Sequence, residues 1–420
     1  MKNHQTGKIQ TVAILGGGPA ASTLATLLAR GGKQVAMLHR PRTAPLLVGE
    51  SLVPAIVLML RQLGIEEEVK AFSKYKPGAC FDMGEGRGDF PFAFKDFCGS
   101  FPPYAYNVPR IQFEETLLAT ARKAGVKVFD LNAGIERVDG TDRVHLNAET
   151  LAAVGNFFSG QPDLIVDATG RVRLLPKLLG INGREGGRKD TAMFAHVDQA
   201  RLYQDGYVHS SRLDHGWSWR IPLPGRVSLG VVIGSQHLAK FGATKEERYD
   251  NLLKQDSVLV RVAKDAKRLT PVMEYTNYQL ISERMVGGNW ALVGDTAGFI
   301  DPVFSSGLFI GMTSAFALAE AIRGGSTESF KNYEAQVTHH LKIWHEIVGY
   351  YYDGRLFTSF KVGEKLRGNL LMKLAFPHIN KHMGKIFLGA ASTSPYSIKL
   401  LRLLVQRGLR GEDPREMAVR

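Results

Sequence analysis

The chain has 420 residues, of which 44% are hydrophobic and 22% are charged, a balance typical of a globular protein rather than a disordered one. This length predicts two or three lobes rather than one simple core. No apolar run approaches the roughly 20 residues that cross a bilayer, and no secretory signal is recognised, so we expect no membrane association. Two cysteines, Cys80 and Cys98, have neither metal-ligand spacing nor a disulfide framework, and the expected compartment is the reducing cytoplasm.

The formal charge of +13 favours an acidic partner through long-range attraction. The sequence has no zinc finger, RNP-like motif or long basic run, so a nucleic acid is not expected. An anionic cofactor together with an acidic carrier protein or peptide accounts for the charge, and so does a simple contribution to solubility.

A β-α-β unit is predicted near the start of the chain. Residues 11–15 are expected to form a buried strand, residues 19–30 a helix of small residues, and residues 34–38 a second strand. About 30 residues is the usual size of a dinucleotide-binding unit.

The turn of this unit matches the pattern G-x-G-x-x-G/A. Gly16 permits the tight turn, Gly18 lets the backbone approach a pyrophosphate, and Ala21 lets the helix lie close to its strand. The N-terminus of the helix offers N–H donors to phosphate, and Ser22 completes the expected cofactor segment. The sequence therefore predicts a dinucleotide cofactor.

The end of the second strand departs from the usual pattern. An acidic residue normally lies there and binds the adenosine ribose, whereas this chain has His39 followed by Arg40. We expect His39 to contact the ribose. The alternative is an ordinary exposed strand end.

Later segments extend the fold. Residues 112–125 have helical spacing, and the segments VKVFDL, PDLIVDATG and NWALVGDTAG are predicted as strands. Residues 190–280 alternate polar and apolar side chains, which predicts an antiparallel sheet. After about residue 330 the chain is predicted to be helical.

A second loop favours FAD over NAD. In residues 289–312 a strand is followed by Gly-Asp, a turn and a helix of small residues. Asp295, at the end of the strand, can accept a hydrogen bond from a ribitol or ribose hydroxyl. The start of the following helix can offer N–H groups to a flavin ring oxygen.

Five segments, in this order, resemble the FAD-dependent aromatic monooxygenase superfamily of the 4-hydroxybenzoate hydroxylase type. They are GGGPAAS, LLVGESLVPAIVLMLRQLGI, YNVPRIQFEETLL, DLIVDATGR and VGDTAGFIDPVFSSGL. Two further signatures are similar to those of the flavin-dependent halogenases. GWSWRIP carries W-x-W-x-I-P through Trp217 and Trp219, and FIDPVFSSG carries F-x-x-P-x-x-S-x-G.

The resemblance implies roles for particular residues. Arg110, Pro302, Gly307 and Leu308 are expected to contact FAD, and halide is expected at Ser306 and Gly307. Expected substrate-pocket residues are Trp217, Trp219 and Phe304.

The segment KPGACF resembles the one that carries the active-site lysine of the halogenases, which implies Lys76 as the catalytic residue. Lys74 is the competing candidate, and an exposed lysine in a turn is the structural alternative. Trp217 and Trp219 lie at i and i+2 of a predicted strand, so they face the same side. They would separate flavin from substrate, or they are core residues.

Phe304 stands where halogenases of free tryptophan have a glutamate. This difference favours phenol, pyrrole or carrier-bound substrates. The resemblance implies an enzyme that uses reduced FAD and O2 to halogenate or hydroxylate an electron-rich indole, pyrrole or phenol. The alternative is a monooxygenase that hydroxylates a tryptophan side chain of a protein during quinone-cofactor biogenesis. A separate flavin reductase is expected because the chain has no second glycine fingerprint for NAD(P)H.

The expected fold class is α/β, with a Rossmann-type FAD-binding domain interleaved with an antiparallel-sheet substrate domain and a helical C-terminal region. Residues 1–70, 105–180 and 285–325 are assigned to the FAD-binding domain, 71–104 and 181–284 to the substrate domain, and 326–420 to the helical region.

Overall fold

Two large sheets organise the chain in a computed structural model, which describes residues 9–40, 46–84, 88–368 and 370–419. The strands are β1 (Thr11–Leu15), β2 (Gln34–Leu38), β3 (Lys74–Lys76), β4 (Gly78–Asp82), β5 (Asp89–Ala93), β6 (Ala105–Asn107), β7 (Lys127–Phe129), β8 (Ile135–Val138), β9 (Arg143–Leu146), β10 (Leu164–Asp167), β11 (Gly183–Val197), β12 (Val208–Leu213), β13 (Gly216–Leu223), β14 (Arg226–Gly234), β15 (Met273–Ser282), β16 (Trp290–Leu292) and β17 (Gly298–Phe299). The helices are α1 (Pro19–Arg30), α2 (Pro54–Leu63), α3 (Glu66–Phe72), α4 (Arg110–Lys123), α5 (Ala148–Ala153), α6 (Leu174–Leu179), α7 (Lys245–Gln255), α8 (Ser257–Ala263), α9 (Ser306–Gly324), α10 (Thr327–Tyr352), α11 (Arg355–Leu366), α12 (Leu370–Met383) and α13 (Pro395–Arg407).

The first sheet has five strands in the order β16-β10-β1-β2-β7, and each neighbouring pair is parallel. Its four strands β16, β10, β1 and β2 are short apolar runs whose residues are almost all buried, as expected of a parallel sheet covered by helices on both faces, whereas the edge strand β7 has no fully buried residue. The predicted β-α-β unit is confirmed with the expected bounds of β1, α1 and β2. This sheet is the Rossmann-type part of the predicted α/β fold.

The second sheet has eight strands in the order β17-β15-β11-β14-β13-β12-β4-β5. The predicted antiparallel sheet is confirmed, although β12 and β4 pair in parallel. Within the range 190–280 that was predicted to alternate, α7 and α8 form helices instead of strands. The alternating pattern also predicts a strand that continues beyond Val197. In the structure β11 ends at Val197, and residues 198–207 form no strand. The division of the chain into three domains stays a prediction.

Close contacts between small residues bring distant turns together. Gly16 has φ +112°, and a Cβ at this position would lie 2.5 Å from the carbonyl oxygen of Ala168, in the turn after β10. A Cβ on Gly294, in the turn after β16, would lie 3.0 Å from the Cβ of Ala20. The first glycine turn and the Asp295 loop are therefore neighbours.

The C-terminal region is helical, as predicted, and α10 packs on α9. No helix in the described ranges is long and apolar enough to cross a membrane.

Replacing Gly16 by Ala tests the close approach of the two strands. The added methyl group would meet a main-chain oxygen in a conformation that disfavours L-residues, so we expect a loss of about 3 kcal/mol in the free energy of unfolding, measured by urea denaturation. Gly32→Ala is the control, because Gly32 also has positive φ (+78°) but a Cβ there would meet nothing within 4 Å. It should cost about 1 kcal/mol. Equal losses for the two variants would contradict the predicted crowding at Gly16.

Candidate active site

A cavity of about 540 Å³ opens at the carboxyl ends of β1, β10 and β16. This edge of a parallel sheet is where α/β folds bind ligands, and the volume is within the usual range for a small-molecule site. The antiparallel sheet contributes the opposite wall, which includes Ala192, Trp217, Trp219 and Tyr275. Both sheets therefore contribute to one site.

The cavity gathers most of the residues that the sequence singled out. Seven of the expected cofactor contacts line it: Gly18, Ala21, Arg110, Asp295, Pro302, Gly307 and Leu308. Gly16 lies behind the wall, where it packs against Ala168, and Ser22 Oγ donates to the carbonyl of Gly17 at 3.3 Å. These two residues shape the turn, and neither is among the lining residues.

His39 lies at the end of β2 and packs against the glycine turn. A Cβ on Gly17 would overlap the imidazole of His39, and the main-chain N–H of His39 donates to the carbonyl of Phe129 at 2.9 Å. Its role as a ribose ligand stays a prediction.

Two helices begin at the cavity without acidic residues in their first turns. α1 has Gly18 as its N-cap, and no side chain caps its N–H groups. α9 begins after Ser305, which has φ +54° and makes no side-chain cap. Uncapped N–H groups and the positive ends of both helix dipoles favour anionic groups. This donor set fits a pyrophosphate at α1 and a second anion at α9.

The loop from Pro302 to Leu308 leaves space and an unused polar atom. A Cβ on Gly307 would meet no protein atom within 4 Å, so a side chain there would take up space beside the cavity that Gly307 lines. Ser306 Oγ is buried and has no hydrogen-bond partner among the described residues. Unpaired buried hydroxyls are uncommon, and a site for a ligand or ion accounts for one. Gly307 therefore leaves room for a bound group beside the cavity, whereas Ser306 is not among the lining residues and its contact with halide stays a prediction.

Arg110 fastens the segment before α2 to the rest of the site. Its Nη1 donates to the carbonyls of Val48 at 3.0 Å and Gly49 at 3.1 Å, while Nη2 pairs with Glu114 at 2.7 Å. Gly49 has φ +92°, and a Cβ there would overlap the guanidinium. Arg110 thus holds this part of the cavity wall in place.

Lys76 is buried at the end of β3, directly behind the cavity wall. Its Nζ donates to Ser51 Oγ at 2.7 Å and to the carbonyl of Leu52 at 2.8 Å, and it lies 5.4 Å from the centre of the Phe94 ring. Burial lowers the pKa of Lys76 to about 7. Ser51 lines the cavity and separates the amine from it.

The exposed-turn alternative for Lys76 is therefore wrong, because β3 pairs with β6 and buries the side chain. The competing candidate, Lys74, makes a salt bridge to Asp205 at 2.8 Å, with about a third of its side chain exposed. Lys76 is the lysine whose amine is shielded from water.

Glu50 is a buried acid of the cavity wall that sequence reasoning did not select. It lies 2.7 Å from His196 Nε2, and Arg226 Nε donates to His196 Nδ1 at 3.0 Å. Because Nδ1 accepts, the ring carries its proton on Nε2 and donates to Glu50. Glu50 and His196 are 146 positions apart in the sequence, so no local sequence pattern predicts this pair.

Trp217 and Trp219 are both buried and both line the cavity, with ring centroids 5.8 Å apart. Trp217 Nε1 donates to Tyr352 OH at 3.0 Å, and Tyr352 OH donates to Asp301 Oδ2 at 3.0 Å. Burial raises the pKa of Asp301 to about 7. Both tryptophans are thus buried residues of the cavity wall, and their role in separating flavin from substrate stays a prediction. Asp301 is a further lining residue that the sequence analysis missed.

Phe304 lies outside the lining of the cavity, in a cluster of aromatic rings. Its ring centroid lies 5.8 Å from that of Phe81, 5.7 Å from Tyr351, 6.3 Å from Trp344 and 6.2 Å from Phe387. Its assignment to the substrate pocket stays a prediction.

The fold and the cavity define the class of protein as an α/β protein with a dinucleotide-type site, and comparison with known proteins gives the family. The sequence model of the tryptophan halogenase family matches residues 11–102 and 95–360. The chain belongs to this family, and its curated relatives include flavin-dependent halogenases. The expected resemblance, fold class, enzyme class and FAD cofactor are confirmed.

Two curated relatives are similar over most of the chain. The 1H-pyrrole-2-carbonyl-[peptidyl-carrier protein] chlorinase of Pseudomonas fluorescens is 28% identical over 86% of this chain and 88% of its own. The tryptophan 2-halogenase of Chondromyces crocatus is 29% identical over 84% of this chain and 70% of its own. Among solved structures, the flavin-dependent brominase Bmp2 has a TM-score of 0.76 at 21% identity, covering 96% of this chain and all of that one, which shows the shared fold.

The buried amine of Lys76 predicts a pH-dependent contribution to stability. An unfolded lysine titrates near 10.4, so between pH 7 and about 10 the unfolded state binds more protons than the folded state. The free energy of unfolding should therefore rise with pH across this window by about 2 kcal/mol from pH 7 to 9. Lys76→Met should lack this rise in urea denaturation at the two pH values, whereas Lys74→Met should retain it. Equal pH dependence of the two variants would show that the amine is not desolvated.

Proposed function

We propose that this protein halogenates an electron-rich aromatic ring carried as an acyl group on an acidic carrier protein, with reduced FAD delivered by a separate reductase. The observation that carries the proposal is the buried pair of Lys76 and Ser51. The shielded amine of Lys76 lies 2.7 Å from the hydroxyl of Ser51. Ser51 lines the same cavity as the N-terminal ends of α1 and α9.

The residues that would hold FAD come from four segments: the start of α1, Arg110, Asp295 and the loop from Pro302 to Leu308. Bound reduced FAD would supply two electrons for the activation of O2, so that halide becomes hypohalous acid and the second oxygen atom leaves as water. The chain's own residues bind the cofactor, position the reacting groups and shield the oxidant from water.

The α9 end is the proposed halide site. Ser306 Oγ has no partner in the described ranges, and no acidic residue occupies the first turn of α9. The hydroxyl and the N–H groups of this turn would hold an anion by hydrogen bonds and by the helix dipole. Trp217 and Trp219 exclude water from the neighbouring wall and keep the aromatic substrate apart from the cofactor.

Lys76 Nζ is the proposed group that holds the oxidant for transfer to one ring carbon. Burial brings the pKa of the amine to about 7, so both protonation states are populated near neutral pH. The protonated amine donates three hydrogen bonds at most, and Ser51 and Leu52 accept two of them. A small oxidant that passes Ser51 and reaches the amine can take the remaining donor.

Two features support a tethered substrate over free tryptophan. By resemblance, halogenases of free tryptophan have a glutamate where this chain has Phe304, so the chain lacks that carboxylate. One relative is named for its action on a pyrrole group carried by a peptidyl-carrier protein. We propose the same substrate class for this chain.

The experiment supplies reduced FAD, O2 and bromide with two probes: pyrrole-2-carbonyl loaded on a peptidyl carrier protein, and free tryptophan. We expect a mass gain with the bromine isotope doublet on the carrier-bound ring. Added oxygen that does not depend on bromide would overturn halogenation and support the monooxygenase alternative. Rapid oxidation of NADH by the pure protein would contradict the separate reductase.

Lys76→Met tests the role of the amine. We expect bromination to fall at least 100-fold, the usual effect of losing a group that acts in the transition state, with FAD affinity unchanged. Lys74→Met is the matched control and should keep full activity, measured by single-turnover product formation. A fully active Lys76→Met variant would refute the assignment.

A further inference from the structure

The positive charge of the chain is concentrated in one segment. Between residues 365 and 411 there are nine Lys and Arg and no Asp or Glu, while the rest of the chain has 44 Lys and Arg against 40 Asp and Glu. Most of the net charge therefore lies in the α12 and α13 region. A uniform contribution to solubility does not account for this distribution.

The exposed face of α12 combines these charges with apolar side chains. Leu370, Lys373, Leu374, His378 and Lys381 are exposed and follow one another at helical spacing, so they lie on one face. Leu370 is 74% exposed and Leu374 is 76% exposed. An apolar residue this exposed loses free energy in water unless a partner covers it.

α13 continues the same surface. Tyr396, Lys399, Leu403 and Arg407 are exposed at i, i+3, i+7 and i+11. His378 Nε2 lies 2.9 Å from Tyr396 OH, which joins the two helices. Of the ten large apolar side chains that are exposed in the described ranges, four lie on this surface. We call these nine residues the α12–α13 surface.

The charges of the α12–α13 surface are available to a partner. Lys373, Lys381, Lys399 and Arg407 make no salt bridge with any residue that the structure describes, whereas Arg402 on the flank of α13 pairs with Glu346 at 2.7 Å. Cations without a local partner attract an acidic surface and steer its approach.

The segment that follows α12 contacts residues next to the active site. The ring of Phe387 packs against Phe304 just before α9, and the carbonyl of Leu388 accepts from the N–H of Ala55 at 3.0 Å. Ala55 lies four residues after Ser51. A partner bound to this surface would therefore contact the region whose following segment packs against both Phe304 and the start of α2, on two sides of the active site.

We propose that the α12–α13 surface is the docking site for the acidic carrier protein that presents the substrate. The inference rests on the proposed function. The leucines and Tyr396 would be covered by an apolar stripe of the carrier, and the lysines would pair with its acidic residues. A second copy of this chain does not fit, because it would place one unpaired cationic surface against another.

The test compares two substrates that differ only in the carrier. One is pyrrole-2-carbonyl on the phosphopantetheine arm of an acidic peptidyl carrier protein, and the other is the same acyl group on free pantetheine. The variant Lys373→Glu/Lys399→Glu reverses one charge on each helix. Lys254→Glu/Lys331→Glu, at two exposed lysines on α7 and α10, is the control with the same net charge.

We expect the docking variant to raise the KM for the carrier-bound substrate at least tenfold, with kcat/KM for the pantetheine form unchanged. The control should leave both values unchanged. Leu370→Ser/Leu374→Ser should raise the same KM without altering charge. Thermal unfolding and FAD binding verify that each variant is folded.

Other outcomes would overturn the proposal. An unchanged KM for the carrier-bound substrate in both docking variants would leave the proposed function standing and place docking elsewhere. Sedimentation of the wild type, but not of the charge variant, with phosphatidylglycerol vesicles, together with an unchanged KM, would identify a lipid surface instead. Bromination of free aromatics alone, with no turnover of the carrier-bound ring, would refute both the tethered substrate and its docking site.

Discussion

The close approach of two backbone turns is the constraint on which the site depends. Ala20 at the start of α1 packs against Gly294, in the turn after β16, and a Cβ on Gly311 of α9 would lie 3.8 Å from the Cβ of Ala20. Small residues on both sides let α1 and α9 pack closely, so the N-termini of two helices open on one cavity. Two positive helix ends in one apolar crevice make a site for anionic groups.

The segment from Val48 to Leu52 converts that crevice into a site with defined chemistry. Arg110 fixes the carbonyls of Val48 and Gly49, His196 holds the carboxylate of Glu50, and Lys76 holds the hydroxyl of Ser51. Consecutive residues of one wall are thus tied to three separate elements. Several contacts therefore fix the position of each group in this wall. A reactive oxidant requires such fixed positions, because a displaced hydrogen-bond donor loses much of its effect on the reaction rate.

Sequence reasoning predicted what depends on local pattern. The bounds of β1, α1 and β2 follow from a buried apolar run, a glycine turn and small helical residues, all of which act within 30 residues. The parallel pairing of β12 with β4 was not predicted, because alternation indicates a strand but not the direction of its neighbour.

The contacts of the site were predicted least well. The pairing of Lys76 with Ser51 spans 25 residues, and that of Glu50 with His196 spans 146. Both depend on how β3, β11 and the wall segment meet in space, which no spacing in the sequence encodes. For Phe304, the residue type alone argued against free tryptophan as the substrate. Its position outside the lining of the cavity depends on its packing against Phe81, Tyr351 and Phe387, which the sequence does not show.

The most direct test of the central claim is the diffraction of a crystal soaked with FAD and bromide, recorded at the bromine absorption edge. The account predicts FAD in the cavity, with its pyrophosphate at the start of α1, and an anomalous bromide peak beside Ser306 and Gly307. Electron density for FAD outside this cavity, or bromide bound only on the surface, would contradict it.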